Sequence, residues 1–392
     1  MTNVYITGAS RTPMGGFQGA LSDKSAPELG GVAIKAALED SMLEGNCVEE
    51  LFMGCVLPAG LGQAPARQAG FQAGLMKETP ATTVNKVCGS GMKTAMLAHD
   101  AIKAGGPGIV VAGGMESMTN APYLSRATRG GGRLGHPQLD DHMFFDGLED
   151  AYDKGTLMGS FAEDCAEYYQ FSREAQDNYA LASLERALNA QSSDAFDREI
   201  TPVTIATRKG DLIVTADEQP ANARPEKIPQ LKPAFRKDGT VTPANSSSIS
   251  DGAAALILAG DDAVKEHNLT PRAVIRGHAG HAQEPGWFTT APVPAARKLM
   301  DKLGWTVDDV DLWEVNEAFA VVPMAFMHEL GIDHSRLNIN GGACALGHPI
   351  GASGSRIMVT LLNALEKHNL KKGIAAICLG GGEGVAMAIE RL

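Results

Sequence analysis

The run Asn85-Lys86-Val87-Cys88-Gly89-Ser90-Gly91 links an apolar stretch ending at Val84 to a helical stretch from Ser90 to about Ala104. A cysteine between valines and a Gly-Ser-Gly triplet reads as a strand–turn–helix elbow, whose glycines let the backbone bend sharply and enter positive φ. A helix starting at Ser90 aims its free N–H groups and the positive end of its dipole at the sulfur. Such a setting lowers a cysteine's pKa from about 8.5 by a unit or more, so the elbow is expected to favour a thiolate. The same residues also suit a structural cysteine acting as a small hydrophobe, and the elbow alone does not separate the two.

Two later segments change that balance. Asn340-Gly341-Gly342-Ala343-Cys344-Ala345-Leu346-Gly347-His348-Pro349-Ile350-Gly351-Ala352-Ser353-Gly354 fixes a histidine between glycine turns and a proline, ahead of a second helical stretch from Ser353 to about Lys367. Histidine is the usual base for activating a thiol. Ile377-Cys378-Leu379-Gly380-Gly381-Gly382-Glu383-Gly384 then lies between the apolar strands 374–377 and 385–389, and its glycines allow close backbone approach to a ligand. One cysteine and one histidine suffice for hydrolysis. A second cysteine in a glycine turn supplies an extra base, which is needed when an acyl group passes to carbon.

The bulk of the chain narrows the class. Its 392 residues suggest two or three domains, and 44% hydrophobic with 20% charged residues is an ordinary globular composition. The net charge of −12 argues against nucleic-acid binding and against attraction to anionic membranes. No apolar run reaches the ~18 residues of a membrane span. The six cysteines show no C-x-x-C spacing and no metal site is expected. Thr2 to Ala9 reads as a short strand without a charged leader, and Glu390-Arg391-Leu392 is not a peroxisomal address. The expectation is a cytoplasmic protein with free thiols.

The chain also repeats itself, with an offset of roughly 260 residues. Ala26-Pro27 opens a helix (29–41), and Val48-Glu49-Glu50 leads into the strand 51–54; Ala291-Pro292 opens another helix (295–303), and Val307-Asp308-Asp309 leads into the strand 312–315. Gly89-Ser90-Gly91 precedes a helix and the strand 109–112, as Ala352-Ser353-Gly354 precedes a helix and the strand 374–377. Strands alternating with helices imply βαβ units and a mostly parallel sheet. Residues 253–258 form a last strand of the first half. The stretch from about 119 to 249 fits neither half and carries two amphipathic helices (160–169 and 173–190), so it reads as an insertion.

Taken together and in this order, the segments resemble the thiolase family. The resemblance runs from Arg11-Thr12-Pro13 to the carboxyl end and includes Gly62 to Gln68, Ala112 to Met118, Asn245 to Gly252 and Asn316-Glu317-Ala318-Phe319-Ala320. It implies a duplicated five-layer αβαβα core, with one half at 1–118 plus 250–270, an inserted loop domain at 119–249 and the second half at 271–392. It implies an acyltransferase that condenses two acetyl-CoA to acetoacetyl-CoA and CoA, by ping-pong chemistry through an acyl-cysteine. Cys88 is then the acylated nucleophile, His348 its base and an oxyanion donor, and Cys378 the base for the α-proton. Asn316 would hold a water that completes the oxyanion site with His348, and the N–H groups of Cys88 and Gly380 would form a second. On the residues alone Asn316 is equally a helix cap before Glu317.

For coenzyme A the resemblance implies Leu148, Met158, Phe235, Ala244, Ser247 and Phe319, with CoA esters as substrates and no permanently bound cofactor. Arg126, Arg129 and Arg133, with Arg208, Lys209, Arg224 and Lys227, are candidate phosphate partners or simply solvated surface. The chain departs from the family where Leu157 precedes Met158-Gly159 in place of a histidine, where Pro220-Ala221-Asn222 carries no arginine, and at Pro243. The family implies a homotetramer, a dimer of dimers, with a dimer as the alternative; the segment 126–135 reads equally as a tetramer contact or a mobile surface loop. Open alternatives are a longer-chain 3-ketoacyl-CoA thiolase and a thioesterase. A non-catalytic lipid- or CoA-binding relative is a third. A ketoacyl synthase would be expected to use two histidines where this chain has His348 and Cys378.

Overall fold

Each half of the chain builds the same unit in the same order, in a computed structural model that describes residues 2–392. The first comprises β1 (Val4–Arg11), α1 (Ala26–Ser41), β2 (Glu50–Gly54), α2 (Pro65–Gln72), β3 (Ala81–Val84), α3 (Ser90–Lys103) and β4 (Ile109–Ser117). An insertion carrying α4 (Met158–Tyr168) and α5 (Arg173–Ser192) follows, and β5 (Ser250–Gly260) closes the unit. The second comprises β6 (Ala273–Ala282), α6 (Pro292–Leu303), β7 (Leu312–Val315), α7 (Val321–Leu330), α8 (Ile350–Lys367), β8 (Lys372–Leu379) and β9 (Glu383–Arg391). Leu337, in a parallel bridge with Trp313, stands where β3 stands in the first unit.

Strand direction is where the sequence reading needs correction. In each unit all strands but the last run the same way, as βαβ connections require. The last strand, β5 or β9, runs against them and sits between the first strand and β4 or β8. Only β2–β3, β2–β4 and β7–β8 therefore pair in parallel. The cause is plain in the second unit, where β8 and β9 are joined only by Gly380–Gly382. A parallel return needs a crossover of about a dozen residues or more. β6 itself was not anticipated. Its Arg276, His278 and His281 break the apolar run that a buried strand shows.

The units touch edge to edge at only two residue pairs, Tyr5 with Val274 and Ile6 with Ala273. Between them lie α3, packed on β2, β4, β5 and β9, and α8, packed on β4, β5, β7 and β8. Helices α1 and α2 cover the outside of one unit, α6 and α7 the outside of the other. The result is the αβαβα layering that the resemblance implied. In α8 every residue from Ile350 to Leu365 is buried, as expected for a helix enclosed on all sides.

The two central helices approach to backbone contact. A Cβ on Gly91 would fall 2.7 Å from the Ser355 nitrogen, and one on Gly354 would fall 2.3 Å from the Met92 nitrogen. These are the matching glycines of the two repeats, so the duplication places them against each other. Cys88 and His348 stand just before the two helices, and the crossing brings their loops together.

The insertion is anchored by a buried cation. Arg11, at the end of β1, donates to Glu199 at 2.6 Å and to Asp217 at 2.6 and 2.9 Å, with its guanidinium 4.8 Å over the Phe196 ring. All three partner residues lie in the insertion. Removing one member of such a buried group costs about 3–5 kcal/mol, because it strands the others' charge.

Candidate active site

The elbow is strained, though not at its glycines. Val87 has φ 46°, a conformation that a β-branched residue rarely adopts. Gly89 has φ −86°, and its role is close packing: a Cβ there would lie 2.4 Å from Leu379 Cδ2. The turn is held by Ser90, whose hydroxyl donates to the Val87 carbonyl at 2.6 Å and accepts from the Lys86 N–H at 2.8 Å. Lys86 reaches across to Glu383 at 2.5 Å, which ties the elbow to the Gly380–Gly382 turn. In that turn Gly381 and Gly382 carry φ 87° and 82°, which glycine adopts freely.

Cys88 sits half-buried at the end of a cavity of about 370 Å³. Burial pushes its thiol up to about 11, against hydrogen bonds from the backbone N–H groups of Gly380 and of Cys88 itself, which favour the thiolate. The charge of nearby Glu116 adds to the rise. The thiolate expected from the helix N-terminus is thus not the resting form; desolvation outweighs the dipole.

His348 is buried, and its ring is fixed at both nitrogens. Ser353 donates its hydroxyl proton to the Pro349 carbonyl at 2.9 Å, so it accepts at 2.5 Å from His348 Nδ1, which carries the hydrogen. The lone pair is left on Nε2, the form a general base needs. Burial and the positive charge of Arg356 lower this imidazole to about 3. Asn316, buried at the end of β7, places Nδ2 3.4 Å from His348 Nε2, and its Oδ1 has no hydrogen-bond partner. It is not a helix cap, since α7 starts only at Val321. Cys378, fully buried at the end of β8, has its thiol raised by burial and by Cys88 nearby.

Two residues escaped the sequence reading. Glu116, wholly buried, accepts from the N–H groups of Val56 (2.9 Å), Leu57 (3.1 Å) and Gly351 (2.9 Å), with the Cys55 thiol 3.6 Å away. It joins the loop after β2 to the first turn of α8, three residues from His348. Burial pushes its carboxyl up to about 7 despite those donors. Glu317 accepts from Tyr179 (2.8 Å), Ser183 (2.7 Å), Asn338 (2.8 Å) and the Cys344 N–H (3.0 Å), and so ties α5 of the insertion to the segment holding Asn316. Both appeared in quoted motifs, but a carboxylate that receives backbone N–H groups from distant loops leaves no local pattern.

The cavity wall is largely apolar and comes mostly from the insertion. Leu148, Met158, Phe235, Ser247 and Phe319 line it, together with Phe144, Leu157, Phe288, His348 and Gly380. Ala244 does not; Pro243 and Ser246 to Ser248 form that stretch of wall, while the Ala244 N–H faces Thr242. Phe144–Leu148 is a π-helical turn, a form that is frequent at functional sites. Arg126 is engaged with Asp140 at 2.7 Å and lies over Phe145, whereas Arg208, Lys209, Arg224 and Lys227 are exposed.

A duplicated α/β core whose apolar cavity is lined by a cysteine elbow and a tautomer-locked histidine, with a second cysteine buried near the first, defines an acyl-transfer enzyme of the thiol–imidazole type. The chain belongs to the thiolase family: residues 4–262 match the thiolase N-terminal domain and residues 269–391 the thiolase C-terminal domain. It is 48% identical to an acetyl-CoA acetyltransferase of Cupriavidus necator, covering all of both chains. It is 47% identical to one of Saccharomyces cerevisiae, over 100% of this chain and 99% of that one. A crystal structure of a thiolase from Ascaris suum in complex with coenzyme A superimposes with a TM-score of 0.93 at 43% identity, over 100% of both chains.

The charge states give two expectations. With a raised pKa the thiolate fraction of Cys88 grows only as pH approaches about 11. The rate of Cys88 alkylation by iodoacetamide should therefore keep rising through the alkaline range; a plateau near neutrality would show a preformed thiolate. Ser353→Ala removes the acceptor that sets the His348 tautomer. It should lower kcat about 10- to 100-fold, or ~1.4–2.7 kcal/mol, with the fold unchanged by circular dichroism. An unaltered kcat would remove Ser353 from the site.

Proposed function

We propose that this chain is an acetyl-CoA acetyltransferase, which condenses two acetyl-CoA to acetoacetyl-CoA and CoA and runs the reverse thiolysis. The observation that carries the reading is one apolar cavity that ends on Cys88, His348 and Gly380. Its apolar lining suits a pantetheine arm, and the relatives' names give the substrate.

In this reading His348 Nε2 takes the Cys88 proton as the sulfur attacks the thioester carbonyl. The N–H groups of Cys88 and Gly380 converge on the sulfur, beside which the oxyanion of an acyl group would form; losing one such donor typically costs ~10²–10³ in rate. CoA leaves with the proton from His348. The Cys378 proton then passes to His348, which leaves Cys378 ionised. Cys378 removes the α-proton of a second acetyl-CoA, with the enolate oxygen held by the protonated His348 and the Asn316 side. The carbanion attacks the acyl-cysteine, acetoacetyl-CoA forms, and the Cys88 thiolate that is expelled takes the proton from His348. Burial makes Cys378 a strong base once ionised.

Leu148, Met158, Phe235, Ser247 and Phe319 would contact the pantetheine, with Leu157 supplying apolar wall where relatives carry a polar ring. A homotetramer is the assembly we favour. Supporting it are Tyr123, Leu134 and Leu139, apolar side chains exposed on the loop from 123 to 139. The location is read as cytoplasmic; among the described residues no helix is long and apolar enough to cross a membrane.

Two measurements test the reading. Thiolysis of 3-ketoacyl-CoA esters from four to sixteen acyl carbons should be fastest at four and fall about tenfold or more by mid-length, since each methylene that a pocket rejects weighs ~1–3 kcal/mol. A flat or rising profile would favour the longer-chain thiolase. Cys378→Ala should still form the acetyl-enzyme on Cys88 while condensation drops ~10²–10⁴-fold, the usual weight of a general base. Loss of acylation as well, or no loss of condensation, would reassign Cys378.

A further inference from the structure

Away from the cavity, three side chains converge that no step of acyl transfer uses. His99 and Asp100 lie near the end of α3, and His278 lies on β6 of the other half, 178 residues away from Asp100. Asp100 Oδ1 is 3.0 Å from His99 Nδ1 and 2.8 Å from His278 Nε2. The two rings stand edge to face with centroids 5.1 Å apart. We infer that His99, Asp100 and His278 form a site for a divalent transition metal, with two imidazole nitrogens and one carboxylate oxygen as ligands.

The geometry is close to what an ion needs. One donor atom from each of the three side chains fits within 4.8 Å of the other two. Bonds of ~2.0–2.2 Å to nitrogen and oxygen in a tetrahedron put donors roughly 3.3–3.6 Å apart, so Asp100 must draw back by about half an ångström and the two imidazole nitrogens close by up to about 1.2 Å, within reach of side-chain rotation. His99 is buried, and its Nε2 has no hydrogen-bond partner. A ring so placed is fixed by packing, and its polarity is only partly satisfied by Asp100.

The donor set indicates which ions fit. Two imidazoles and a carboxylate suit zinc, cobalt, nickel or copper, while magnesium and calcium prefer all-oxygen shells. Three protein ligands leave a coordination position for solvent. Because the ligands come from both halves of the duplicated core, a bound ion would link α3, which begins at the catalytic elbow, to β6. No sequence spacing reveals such a set.

The test uses the full-length enzyme, stripped with a chelator and titrated with Co²⁺ followed by optical absorption, and with Zn²⁺ by equilibrium dialysis. The expected result is one ion per chain and visible d–d bands without a thiolate-to-cobalt charge-transfer band. His278→Ala and Asp100→Asn, both at the solvent-facing side of the cluster, should each weaken binding ~100-fold or more, since even outer-shell partners are worth ~10–100-fold. Thiolysis activity of the two variants should match that of the parent enzyme. Absence of stoichiometric binding would overturn the inference. So would binding that persists in both variants, or a thiolate band that vanishes with Cys88→Ser, which would put the metal at the catalytic thiols. A carboxylate that merely bridges two imidazoles gives the first of these outcomes.

Discussion

The backbone contact between α3 and α8 at Gly91 and Gly354 is the constraint on which the rest of the molecule depends. Two helices that cross this closely share one small patch, and each is preceded by the loop that carries a reactive group. The crossing therefore sets the distance between Cys88 and His348 before any side chain is placed. A Cβ at either glycine would run into a backbone nitrogen of the other helix, which no side-chain rotation relieves. Relief would require the helices to separate, and overpacking of this kind costs about 1–3 kcal/mol even where it is tolerated. Glu116 acts on the same joint from the side. Its carboxylate gathers N–H groups from the loop after β2 and from the first turn of α8, so the halves meet at a fixed register as well as a fixed distance.

The charges around the joint oppose an ion pair in the resting enzyme. Burial raises the Cys88 thiol and lowers the His348 imidazole, and the charges of Glu116 and Arg356 add to the two shifts. The pair rests as thiol and neutral imidazole. Only the two N–H groups at the sulfur favour negative charge, and they are placed where an acyl oxygen develops it. Stabilisation is thus reserved for a state that exists once a thioester is bound, which is how binding energy lowers a barrier rather than merely filling a site.

Much of this was legible because it is local. The elbow around Cys88, the proline after His348 and the triple glycine after Cys378 are each a few residues long, and their repeat at a constant offset displayed the duplication. The site residues proposed above follow from the family those segments resemble. What stayed hidden depends on contacts across the fold. The reversed strands β5 and β9 look like any buried strand, since burial on both faces erases alternation. Positive φ fell on Val87, where side-chain identity argues against it. Ala244 lies one residue away from the wall that Pro243 and Ser246 to Ser248 form, because its turn faces Thr242. Ser353 was visible as the repeat partner of Ser90, yet its part in fixing His348 rests on the Pro349 carbonyl taking its proton. Glu116 and Glu317 bind mainly to distant groups, and no spacing rule records that.

The two kinds of element also divide the work. The duplicated core supplies Cys88, His348, Cys378 and Asn316, all at strand ends or in turns whose geometry is over-determined by packing. The insertion supplies Phe144, Leu148, Leu157, Met158, Phe235 and Ser247 as the cavity wall. It is fastened to the core at discrete points, through Arg11 with Glu199 and Asp217, and through Glu317 with Tyr179 and Ser183. In the proposed reading, chemistry and substrate fit are therefore carried on separate parts of the chain. Exchanges such as Leu157 can alter the wall without moving Cys88 or His348, whereas any change at the Gly91–Gly354 crossing moves the loops of both together.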